Sequence, residues 1–134
     1  MTTTTRCTTR HPRQTITPAI TAALDTDRRA ARVARQAGDL DEAWRLLERT
    51  HILSQPWVWP HVRSHIDMLR LALHDHDRPE AVGQIARVLL AGPGSATGRY
   101  PRGNTGRSNV SATQLMPVPD DLAELLTSSS RCEP

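Results

Sequence analysis

Apolar residues recur three and four positions apart in four consecutive stretches, each closed by a helix-stopping signal, and this punctuation leaves little besides an all-α fold. Ile20, Ala23, Leu24, Ala31, Ala34 and Ala37 keep the spacing up to Gly38, a residue type suited to the left-handed position after a helix end. A first helix is predicted over 18–37. Asp39 then stands as an N-cap with Glu42 three residues on, and Leu40, Ala43, Trp44 and Leu47 form the inner stripe of a second helix over 40–54. Pro56 and Pro60 bracket a Trp57-Val58-Trp59 connection, and Pro60 fits the first turn of a third helix reaching about Asp77, with Val62, Ile66, Leu69 and Leu73 as its stripe. Pro79 opens a fourth, with Val82, Ile85, Val88 and Leu89 expected inward and an end near Gly92.

Five glycines and four prolines between 92 and 119 break any regular element, so this stretch reads as a long loop. Asp120 and Asp121 lead into a short closing helix through Leu122, Leu125 and Leu126. The expected organisation is a Thr/Arg-rich disordered tail over 1–17, one helical domain over 18–127 containing the 92–119 loop, and a disordered tail over 128–134. The first two helices resemble the next two at a shift of 38 residues: Arg32/Arg70, Ala34/Ala72, Asp39/Asp77, Glu42/Glu80 and Leu47/Ile85 correspond. Two stacked antiparallel hairpins follow. The run from Ala37 to Leu47 looks like the turn and second helix of a tetratricopeptide repeat, but two repeats fall short of the three an array needs, so only the hairpin geometry carries over.

With 134 residues there is room for one domain, and the basic residues are all Arg. The absence of Lys excludes the P-loop, Schiff-base and kinase mechanisms that need one. Arg6, Arg10 and Arg13 precede the first acidic residue, Asp25, and the remaining arginines are matched by the 14 carboxylates. The net charge of +3 therefore sits in the tail, and no basic face for nucleic acid is expected. Cys7 and Cys132 stand near the two ends with none between, which gives no disulfide framework. No apolar run approaches the ~20 residues of a membrane span, and the N-terminus lacks the apolar core of a secretory signal, so a cytoplasmic protein is expected.

Five of the six histidines lie between residues 51 and 76. His61 and His65, four apart, share a face of the third helix, the spacing at which two imidazoles can share a metal, and Met68 continues that face. His51 follows Trp44 and Leu47 on the inner face of the second helix, so an antiparallel hairpin brings it against them. His51, His61 and His65 are the candidate metal ligands, with Met68 as a fourth soft donor, for Zn, Cu or Ni. The competing reading makes them core residues hydrogen-bonded to backbone or side chains. The zincin glutamate is missing because Val62 occupies its place, and His74 and His76 read as a solvated helix end.

The loop segment Gly98 to Ser111 offers backbone donors and hydroxyls, and Arg99, Gly103, Asn104, Thr105, Gly106 and Asn109 are its candidate ligand-binding residues. It contains neither Gly-x-Gly-x-x-Gly nor Gly-x-Ser-x-Gly, and a loop wrapped over the hairpins is the alternative.

Three motifs carry a resemblance: Thr50 to Gln55, Pro60 to Leu69, and Gly98-Arg-x-Pro-x-Gly-Asn-Thr-Gly106 continuing to Ser111 and Met116-Pro117. Together they resemble a small bacterial domain-of-unknown-function family, number 3703, over about residues 20–126. The resemblance implies a bacterial cytosolic protein and marks His51, His61, His65 and the Gly/Asn loop as motif positions; Arg107 departs from the small residue expected there and argues against a tightly closed loop. The leading expectation is a small metal-binding protein serving sequestration or delivery. The alternative is a non-enzymatic module presenting Trp57, Trp59 and the loop to a protein partner, and a third reading uses His61 or His65 as a general base with Arg63 and Arg99 holding an anion.

Overall fold

The computed structural model describes residues 15–130. The remainder of both tails expected to be disordered lies outside them. Five helices follow in order: α1 (Pro18–Gln36), α2 (Leu40–Ser54), α3 (Val58–His74), α4 (Arg78–Ala96) and α5 (Asp120–Ser130). The described chain is all-helical, as the spacing predicts.

The two hairpins are built on the same turn. Asp39 Oδ1 accepts from Glu42 N at 3.1 Å and Asp77 Oδ1 from Glu80 N at 3.0 Å, so each second helix starts on an equivalent cap. Each first helix ends with a left-handed residue, Gly38 at φ +79° and His76 at φ +57°, followed by a backbone bond from Asp39 N to Ala34 O and from Asp77 N to Ala72 O, both 2.9 Å. The 38-residue correspondence is therefore a repeat of structure, with a histidine accepting the strain that glycine avoids.

α1 packs chiefly on α2 and α3 on α4, while α2 joins the hairpins through α3. Ala43, Trp44, Leu47, Met68, Leu71 and Ala72 close one apolar cluster between them. A second, of Ile20, Leu24, Ile52, Leu53 and Leu122, holds α5 against the first hairpin, with Trp57 packed on it. The buried Arg28 reaches across from α1 to Asp67 of α3, Nε to Oδ2 3.1 Å.

Three local expectations are corrected. The row Val82, Ile85 and Leu89 of α4 faces solvent, 68%, 53% and 73% exposed, and Leu73 of α3 is exposed as well. The inward faces are instead His61, Ser64, His65 and Met68 on α3 and Glu80, Gln84, Ala91 and Ser95 on α4. Both faces of α4 cannot point inward, and the polar one wins because its groups find partners in α3 and the loop. α4 also continues past Gly92 and Pro93 to Ala96: Pro93 lacks one N–H, but the extra turn delivers Ser95 to a buried position. α5 likewise takes in Ser128–Ser130, where the sequence pattern predicts a tail; the Ser128 and Ser129 hydroxyls donate to the carbonyls of Leu125 and Leu126.

Candidate metal centre

α2 supplies His51 and α3 supplies His61 and His65, and all three rings are buried, at 2%, 5% and 3% exposure. Their Nε2 atoms converge: His51 to His61 is 3.0 Å and His51 to His65 is 3.2 Å. The ring planes of His61 and His65 are each inclined by 62° to that of His51, so the rings meet at their edges and do not stack.

The outer nitrogens decide where the protons are. His51 Nδ1 lies 2.8 Å from the backbone carbonyl of Asn104, which can only accept, so His51 carries its proton on Nδ1. His61 Nδ1 lies 2.7 Å from Ser95 Oγ, and that hydroxyl gives its own proton to the carbonyl of Gln55 at 2.6 Å; Ser95 therefore accepts from His61. His65 Nδ1 lies 2.8 Å from Gln84 Oε1, and the orientation of this amide is fixed because its Nε2 donates to Glu80 Oε1 at 2.7 Å and to the Gly106 carbonyl at 2.9 Å. All three neutral imidazoles are thus Nδ1–H tautomers, and three bare Nε2 lone pairs face one another.

Burial keeps the rings neutral. It drives His61 down to about 3, with His65 adding to the effect, and His65 down to about 4 although its hydrogen bond to Gln84 opposes the shift. His51 is held well below the ordinary imidazole range, first by burial and then by its two neighbours. Among the described residues these three form a group whose ligand atoms lie within 4.8 Å of one another. Tetrahedral coordination at Zn–N distances of about 2.0–2.1 Å separates ligand nitrogens by roughly 3.3 Å, close to the two spacings above. The arrangement could hold a metal ion through three neutral donors, each oriented by a partner on its other nitrogen.

The loop closes over this group. Gly106, at φ +81°, presses on the His51 ring so closely that a Cβ would come within 2.7–2.8 Å of its Cδ2, Cγ and Nε2 atoms. Asn104 shapes the turn: its Oδ1 accepts from Gly106 N at 2.9 Å, and its Nδ2 donates to the carbonyls of Ser111 and Gln114 at 2.9 and 2.8 Å. Arg107 does not hold the loop open. Its guanidinium lies 3.7 Å above the Trp44 ring, its Nη1 is 3.5 Å from Glu48 and its Nε 3.4 Å from Glu80.

A comparison with family profiles matches residues 18–126 to the family described as protein of unknown function, DUF3703. The chain belongs to the DUF3703 family. No curated protein and no solved structure matched. The three motifs that carried the resemblance within this family are the segments that meet here, helix to helix to loop.

Of the predicted site residues, the structure brings together His51, His61, His65, Asn104 and Gly106. Met68 is fully buried one turn beyond His65, in the apolar cluster. Gly103 is buried in the closed turn, and Thr105 Oγ1 is buried without a hydrogen-bond partner. Arg99 and Asn109 are exposed. Sequence reasoning missed Gln84, Ser95, Gln55 and Glu80. A signal existed: Glu80, Gln84, Ala91 and Ser95 fall within about 60° of one another around α4, a small and polar face opposite the apolar row. No helix among the described residues is long and apolar enough to cross a membrane.

Proposed function

We propose that this chain is a small metal-binding protein, with a transition metal held by the Nε2 atoms of His51, His61 and His65 and a role in sequestration or delivery of that metal. One observation carries the reading. The His51 Nε2 lone pair stands 3.0 and 3.2 Å from those of His61 and His65 with no proton to share, and a cation placed among the three turns this repulsion into bonds. The hydrogen bonds to Asn104, Gln84 and Ser95 support it, because ligating histidines ordinarily donate their second N–H to such acceptors. Met68, three residues beyond His65 on the same face, is the candidate fourth donor.

The test is the metal content of untagged full-length protein by plasma mass spectrometry, beside a His51/His61/His65 triple alanine variant, with circular dichroism of both. Near-stoichiometric metal that the folded variant lacks supports the proposal. No retained metal, and no uptake of Zn, Cu(I) or Ni by the wild type, contradicts it. The second reading, a protein-docking module, has the exposed Trp59 and the row Val82, Ile85 and Leu89 in its favour. It is tested by whether charged substitutions in that row abolish an association that the triple alanine variant retains.

A further inference from the structure

The metal-binding reading leaves the ion open, and the charges around the triad narrow it. All three donors are neutral, and Met68, the candidate fourth, is neutral as well. Among the described residues no carboxylate belongs to the ligand group. Glu80 is buried and linked to the triad through Gln84, but its negative charge is already committed: it accepts from Gln84 Nε2, from Ser108 N and from Ser108 Oγ, and it pairs with Arg107. Arg87, anchored on the Val110 carbonyl, lies in the field of Glu80, so its positive charge is matched as well.

A dication in this setting would place two uncompensated positive charges in a buried surrounding whose own charges, Glu80 and Glu48 against Arg107 and Arg87, cancel. The solvation an ion loses on burial grows with the square of its charge, so a dication is penalised about four times as heavily as a monocation of similar size. Zinc sites of three histidines ordinarily complete a fourth position with water or an anion, and copper(II) seeks four or more ligands in a tetragonal plane. Here the ligand group among the described residues holds no Cys, Asp or Glu to supply an anion, and Gly106 packs against the His51 ring. A soft, closed-shell monocation is satisfied by three nitrogens and a dry surrounding. We infer that the triad takes a monovalent cation of the copper(I) class, in a site of three imidazole nitrogens that admits divalent ions poorly.

The experiment uses metal-free full-length protein under anaerobic conditions. Cu(I) is titrated in competition with bicinchoninate and Zn(II) in competition with a zinc chromophore; Ag(I) serves as a redox-inert monovalent probe. His65→Gln is run alongside, with thermal unfolding to show that it is folded. The expected result is one Cu(I) and one Ag(I) per chain, lost in His65→Gln, with Zn(II) held more weakly by a factor on the order of 100. X-ray absorption of the Cu(I) form should show three-coordinate copper with nitrogen scatterers, or four-coordinate copper with one added sulfur. Zn(II) bound as tightly as Cu(I), and lost in the same variant, overturns the monovalent assignment while leaving the metal site standing. Binding of neither ion overturns both.

Discussion

His51 Nε2 and His61 Nε2 stand 3.0 Å apart with no hydrogen atom between them, because His51 spends its proton on the Asn104 carbonyl and His61 spends its own on Ser95. His65 completes the same pattern through Gln84. The fold therefore spends a loop carbonyl, a helix-four hydroxyl and a helix-four amide on setting the tautomer of three rings from two other helices.

Gln84 is the most informative of these partners, since its amide touches His65, Glu80 and the Gly106 carbonyl. Gln84→Leu removes the acceptor that fixes His65 and strands the Gly106 carbonyl. Metal affinity should fall by about 10- to 100-fold, the usual consequence of losing such a partner, and a competition titration would read it. An unchanged affinity would mean that His65 is oriented by packing alone.

Two glycines with nearly the same backbone angle separate strain from crowding. Gly38 at φ +79° has nothing within 4 Å of an added Cβ, whereas at Gly106, φ +81°, the Cβ meets the His51 ring. Gly38→Ala should cost about 1 kcal/mol, from the left-handed conformation alone. Gly106→Ala should cost more, roughly 2–4 kcal/mol, and should also weaken metal uptake. Urea unfolding of both variants checks the difference; equal losses would show that the loop lifts off the ring at little cost.

Acid should destabilise the metal-free protein early. The folded-state values of His61, about 3, and His65, about 4, lie below the ordinary imidazole value, so between that value and about 4 the unfolded chain binds more protons than the folded one. Stability is then full above about pH 6.5 and is lost as pH falls through the folded-state values. Denaturant midpoints from pH 8 to pH 4 should decline most steeply below 6.5, and alanine in place of the three histidines should flatten that decline. A midpoint independent of pH over this range would mean that the rings are solvated.

The helices and both hairpin turns were legible in the sequence because their causes are local: Asp39 and Asp77 cap within three residues, and the apolar spacing repeats within a turn. The histidine triad was legible for a related reason, since spacing alone puts His61 and His65 on one face and His51 on the facing stripe. The inward faces of α3 and α4 were not. Val82, Ile85 and Leu89 outweigh Glu80, Gln84 and Ser95 on any hydropathy argument, and only the partners contributed by α3 and the loop make the polar face the buried one. Loop closure was hidden for the same reason: Arg107 reads as bulk and charge until Trp44, Glu48 and Glu80 are seen around it.

The tautomers themselves can be measured. Long-range ¹H–¹⁵N correlation spectra of the metal-free protein at neutral pH report which nitrogen of each ring carries the proton. Nδ1–H with a bare Nε2 is predicted for His51, His61 and His65 alike, and all three Nε2 resonances should shift when one equivalent of metal is added. A proton on Nε2 of any of the three in the metal-free protein, with no Nε2 shift on adding metal, would contradict the account.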